Sequence, residues 1–384
     1  MMDKRDKFRG CLIGGAVGDA LGYAVEFFSE EEIFAQYGKS GITEYNLSDG
    51  KAVVSDDTQM TMFTATALLD GVTRGKMRGI MSGFEEYIAL EYGGWYLTQT
   101  ERFPVDREKN YAKYSWIMND PRLFKRRAPG NTCLSALSCG SKGTLEEPIN
   151  DSKGCGGIMR AAPIGLYFAN GNHSSMQQKD IDLIGAKSAA ITHGHELGFI
   201  PAAALVHIIS LLVKNDNISV LDAVADSIVV MRKIFKASAH LDYFHKLMEK
   251  AVDLAVNSDN DIDAIHKLGE GWVAEETLAI AVYCATKYQN DFDKAIRAAV
   301  NHNGDSDSTG AVCGNILGTK LGLSNIPQKY KDNLEFYDVL TILANDLLND
   351  CRMSEYGDDN DEAWDAKYIK KTYSPKKHER SGNA

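Results

Sequence analysis

The chain has 384 residues, 44% of them hydrophobic and 25% charged, and a formal net charge of -11. That supplies apolar material for a large core in one or two domains, so a disordered chain is excluded as the starting assumption. The acid excess argues against a nucleic-acid footprint, which clustered Lys and Arg would have to provide.

In chain order, residues 1–10 are charged and the apolar run that follows is interrupted by Asp19 and Glu26. Neither a secretory leader nor a membrane span is expected there, and the reading is cytoplasmic, with no membrane partner. The seven cysteines are odd in number and contain no Cys-x-x-Cys pair, which suits a reducing compartment without a disulfide framework. Gly10, Gly14, Gly18 and Gly22 recur at i, i+4, and Gly310, Gly314 and Gly318 repeat the spacing near the other end. A helical glycine costs roughly 1 kcal/mol against alanine, so seven at helical spacing predict two helices that approach other backbone closely. Such crowding would draw Asp19 and Glu26 toward Asp305 and Asp307.

Ser55-Asp56-Asp57-Thr58 precedes a helical pattern over 59–70. Residues 96–131 read as a long irregular stretch with Arg122, Lys125, Arg126 and Arg127, and loops of that length tend to be functional. Residues 140–160 are Gly-rich, and Lys153-Gly154-Cys155-Gly156-Gly157 offers backbone N–H groups to an anion such as a diphosphate. Helical spacing returns over 183–213, 218–235, 241–256, 274–288 and 292–300, with Thr192-His193-Gly194-His195 inside the first of these. Short polar connections predict a single all-α unit, a compact orthogonal bundle over 1–350. The remaining 351–384 form a charged tail, acidic then basic from Tyr356, expected to be partly disordered and to fray.

Asp305-Ser306-Asp307-Ser308-Thr309 stands before the second glycine-ridged helix, as Ser55–Thr58 stands before its own. Either cluster alone reads as a helix cap, for Ser and Asp suit N-caps and first-turn carboxylates suit the helix dipole. Together they hold more carboxylates and hydroxyls than capping requires, and hard cations such as Mg²⁺ or Mn²⁺ favour that donor set. Two such ions would relieve the repulsion of four converging carboxylates and give a hydrolytic centre. His193 reads equally as a substrate contact or a polar helix-end residue.

These residues resemble the ADP-ribosylglycohydrolase family, in its dinitrogenase-reductase-activating and ADP-ribosylhydrolase forms. The resemblance runs through Gly14–Gly22 with Glu26, Ser55–Thr58, Gly154–Arg160, Thr192-His193, Gly271–Glu276 and Gly304–Thr309, over roughly residues 5–325. It implies a mainly helical fold around a central binuclear Mg²⁺ or Mn²⁺ site and hydrolysis of the bond from ADP-ribose to a protein or small acceptor, with arginine preferred. Carried over, it makes Ser55, Asp56, Asp57, Asp305, Asp307 and Ser308 the metal ligands, with Thr309 the alternative to Ser308. It makes Glu26 and Asp56 candidates for acid–base work, and Gly154, Cys155, Gly156, Gly157, Met159 and His193 contacts to ADP-ribose. Two other readings stay open: a two-metal phosphohydrolase of nucleotide diphosphates, and an immunity or reader protein that occludes an ADP-ribosyltransferase toxin through 96–131 or the tail.

Overall fold

Two helices pack backbone to backbone through the glycines singled out above. The computed structural model describes residues 2–140, 142–173 and 175–375; among these, 62% is helical, in 17 helices with no strand. The first helix, α1 (Lys4–Gly22), runs antiparallel to the helix Ser306–Leu321. A Cβ on Gly10 would lie 2.2 Å from Gly318 O, one on Gly14 2.5 Å from Gly314 O, and one on Gly18 1.9 Å from Gly310 O. No residue with a side chain fits at that separation, which is the compensation that offsets the poor helix propensity of glycine.

The antiparallel sense sets the end of α1 beside the start of its partner, and both meet a third helix start. Helix α2 is Glu30–Tyr37 and α3 is Asp56–Arg78, capped by Ser55, whose Oγ accepts from Asp57 N at 3.2 Å. Asp19 joins α3 to α1. Its carboxylate accepts from Ser55 N at 2.8 Å, Thr58 N at 3.0 Å and Thr58 Oγ1 at 2.5 Å. Asp19 thus acts as a tertiary cap, supplying from another helix the acceptors that the first turn of α3 lacks.

Two expectations change. The helical stretch 183–213 is two helices, Gln178–Ala190 and Glu196–Lys214. His195 breaks it, for its Nδ1 accepts from Leu197 N at 3.0 Å and caps the second helix. The irregular stretch begins later than 96, because α4 (Phe84–Thr100) occupies its first residues. Part of the described tail is packed on the bundle. Cys351, Met353, Trp364 and Tyr368 are buried, Trp364 Nε1 donates to Thr73 Oγ1 at 2.9 Å and Lys371 pairs with Asp70 at 2.7 Å. The rest of that expectation falls on 376–384, outside the described residues.

Helix Glu196–Lys214 is long and apolar enough to cross a membrane, with a mean hydropathy of 2.0, yet 89% of it is buried inside the bundle. Its one buried imidazole, His207, reaches Asp182 through Nδ1 and Asp226 through Nε2, both at 2.8 Å, and so ties three helices together. Burial opposes the charged ring, but hydrogen bonds and attraction from Asp182 and then Asp226 outweigh it and hold the imidazolium above the ordinary range. A raised folded-state value means stability that is full below the ordinary histidine value and lost as pH rises through the folded one. His207→Gln is therefore expected to lower the melting temperature more at pH 6 than at pH 9. Equal losses at both would show that the ring acts by packing alone.

Candidate active site

The crossing of α1 with helix Ser306–Leu321 brings acids from both ends of the sequence into one pocket of about 210 Å³. Glu26 lies just beyond α1, where Val25 N donates to Gly22 O at 2.8 Å and turns the chain inward. One oxygen each of Glu26, Asp305 and Asp307 lies within 4.8 Å of the others, and all three residues are buried. Asp57 connects the second cluster, its Oδ2 accepting from Ser308 Oγ at 2.8 Å. Asp56 faces the same space and accepts from Gly130 N at 3.3 Å.

No Lys or Arg is among the residues that line this pocket. Burial, then the charge of Asp307, pushes Glu26 up to about 9 and sets Asp57, Asp56 and Asp305 well above the usual carboxylate range. Asp19, buried behind them and also facing Asp307, rises to about 7. So many carboxylates without a counter-charge can be neutralised only by protons or by cations. Glu26 Oε2 is buried without a hydrogen-bond partner. Oxygen-only donors, one of them unengaged, fit a hard divalent cation.

The opposite wall is the Gly-rich loop. It is pinned to the segment before helix Ala274–Lys287, with Cys155 N donating to Trp272 O at 3.2 Å and Ala274 N to Lys153 O at 2.9 Å. Lys153 also pairs with the buried Glu275. His193 stands behind the loop, with a Cβ on Gly154 falling 3.2 Å from its Nε2. Its Nδ1 meets Thr192 Oγ1 at 2.8 Å, and Arg160 donates to that hydroxyl at 2.6 Å. Burial and then Arg160 depress His193 to about 3, so the ring is neutral in use.

The ADP-ribosylglycohydrolase family model matches residues 1–357, nearly the whole chain. The chain belongs to the ADP-ribosylglycohydrolase family. An uncharacterized protein of Archaeoglobus fulgidus is 28% identical over 350 residues, covering 89% of this chain and 96% of that one. The ADP-ribosyl-[dinitrogen reductase] glycohydrolase of Rhodospirillum rubrum is 25% identical, covering 86% and 90%. A solved ADP-ribosylglycohydrolase-related protein complex shares the fold with a TM-score of 0.60 at 22% identity, covering 91% of this chain and 99% of that one.

Within this glycohydrolase fold, Glu26, Asp56, Asp57, Asp305, Asp307, Ser308, Gly154, Cys155, Gly156, Met159 and His193 all line the pocket. Ser55 and Gly157 do not. Ser55 is spent on capping α3, and Gly157 is pressed against the helix behind, where a Cβ would lie 2.9 Å from Ala189 Cβ. The N–H of Cys155 is likewise unavailable to an anion, being held by Trp272 O. Thr309 turns away, donating to Ala299 O and Asp305 O at 2.7 and 2.8 Å, which leaves Ser308 as the hydroxyl at the site.

Sequence reasoning missed Asn131, Thr132 and Cys133, which line the pocket from the first turn of helix Asn131–Ser138, directly after the irregular segment. It also gave no role to Trp272, which stacks on Phe27 at the mouth with centroids 6.3 Å apart. The length of the irregular segment was the available signal for the first group. Of its basic residues, Arg122 is held by Asp120 and Asp338, and Arg127 by Glu335.

Proposed function

We propose that this chain hydrolyses the C1″ glycosidic bond joining ADP-ribose to a modified arginine, with two Mg²⁺ or Mn²⁺ ions held by Asp56, Asp57, Asp305, Asp307 and Ser308. The convergence of Glu26, Asp305 and Asp307 with Asp56 and Asp57 in a pocket lined by no Lys or Arg carries this reading. When bound, the ions would neutralise the carboxylates and polarise ribose and water oxygens.

The protein's own groups supply the rest. The free Oε2 of Glu26 can take a proton from attacking water or give one to the leaving nitrogen, and Asp56, which lines the same pocket, can make the complementary transfer. Gly154 and Gly156 line the pocket as bare backbone for a diphosphate to meet, and a Cβ on either would crowd the neutral ring of His193 behind them. At the mouth, the exposed Phe27–Trp272 stack beside Glu26 suits a planar cation, which favours arginine over serine as the acceptor. The protein substrate named for the Rhodospirillum relative accords with a protein acceptor here.

A substrate panel tests this. Arginine-linked ADP-ribose is expected to release free ADP-ribose at least about tenfold faster than the serine-linked form, a discrimination of about 1.4 kcal/mol. EDTA should abolish release and Mg²⁺ or Mn²⁺ restore it. AMP as the product would mean phosphoanhydride cleavage, and a serine preference would refute the acceptor assignment.

A further inference from the structure

A second cavity, of about 220 Å³, lies at the far end of α3 between α3, α4 and the docked tail. Arg74 is 18 residues beyond Asp56, so this cavity is roughly 27 Å from the acidic site along the helix. It is a different site, with different chemistry.

Its floor holds Asp70, Glu91 and Lys371. Lys371 pairs with Asp70 at 2.7 Å, one cation against two carboxyl groups. Asp70 Oδ1 and Glu91 Oε2 are buried with no donor from a neighbouring N–H, the two carboxyl groups lying within hydrogen-bond reach of each other, and Glu91 is only 2% exposed. Buried acceptors left in that state favour a ligand that brings N–H donors.

The middle of the cavity is aromatic and apolar. Tyr87 and Leu90 of α4 face Tyr111, and Leu90 and Tyr111 are 38% and 58% exposed, an open apolar rim on an otherwise polar surface. The mouth carries Arg74 and Arg78, one helical turn apart and both exposed, with no carboxylate paired to either among the described residues. Two free guanidinium groups at that spacing suit a phosphate.

Donors at one end, a flat apolar middle and an anion at the other describe an aminopurine nucleotide. We propose that this cavity is a second, non-catalytic site for an adenine mononucleotide, its base between Tyr87 and Tyr111 against Glu91 and its phosphate on Arg74 and Arg78. Burial and then Asp70 hold the Glu91 carboxyl well above its ordinary range.

Equilibrium dialysis of the full chain with AMP tests the site. Arg74→Glu combined with Arg78→Glu, a change confined to exposed side chains, is expected to weaken AMP binding at least about tenfold while hydrolytic turnover stays the same. Leu90→Trp, which fills the cavity, should do likewise, and UMP, without an exocyclic amine, should bind at least about tenfold more weakly than AMP. AMP binding unchanged in both variants, or abolished instead by Asp305→Asn, would overturn the proposal, the latter by placing AMP in the acidic pocket. Equal binding of UMP would overturn the adenine assignment. The binding outcomes do not depend on the glycohydrolase reading.

Discussion

Asp305→Asn is expected to lower ADP-ribose release by about a hundredfold or more and, in the same protein, to raise the melting temperature measured in EDTA. The two effects have one cause. Carboxylates within 4.8 Å of one another repel by roughly 3 kcal/mol at an effective dielectric of about 20, and asparagine removes that repulsion while keeping shape and an acceptor oxygen. The activity falls because a charged ligand is lost from the set that would hold the cations. Wild-type protein should gain several degrees on adding Mg²⁺ or Mn²⁺, since a ligand that binds only the folded state stabilises it. The variant should gain little. As a helix cap, Asn is about as good as Asp. If Asp305 only caps its helix through the 3.4 Å contact with Ser308 N, neither turnover nor either melting temperature should move. That result would sink the cation site and leave the acidic cluster as two ordinary caps.

The sequence carried the parts of this site that are local. Glycines at i, i+4 and acids at helix starts are periodic or positional signals, and the structure places them as that spacing implied, with Gly14 on Gly314 and Gly18 on Gly310. What stayed hidden depends on contacts between distant residues. Asp19 looked like one more site acid, yet its carboxylate is committed to Ser55 and Thr58 across 36 to 39 positions of sequence. Gly154–Gly157 looked like an open anion loop, although one of its N–H groups is taken by Trp272 O and one of its glycines is packed against Ala189. The break in 183–213 was masked because Ala- and Leu-rich helical spacing continues on both sides of it, while the cap that starts the second helix comes from a side chain, His195. Helix α4 escaped notice for a related reason. It contains Gly93-Gly94, which reads as a breaker, whereas Gly94 lets Lys113 O approach to 2.3 Å of where a Cβ would be.

Gly18→Ala is expected to cost about 3 kcal/mol or more, or to prevent recovery of folded protein. The added Cβ would lie 1.9 Å from Gly310 O and 2.2 Å from Gly310 C, atoms of a helix backbone that cannot rotate aside as a side chain would. A different helical glycine supplies the comparison. At Gly75 in α3 the nearest atom is Met81 Sδ at 3.1 Å, the end of a flexible side chain. Gly75→Ala should therefore be neutral or gain up to about 1 kcal/mol from helix propensity. Denaturant titration of both variants checks the contrast, and similar stabilities would mean that the two ridges do not touch. Any Gly18→Ala protein that does fold must hold α1 farther from its partner helix. Glu26 follows α1 while Asp305 and Asp307 begin the partner, so the same displacement opens the acidic triad, and Mg²⁺ affinity should fall along with stability even though no ligand has been changed.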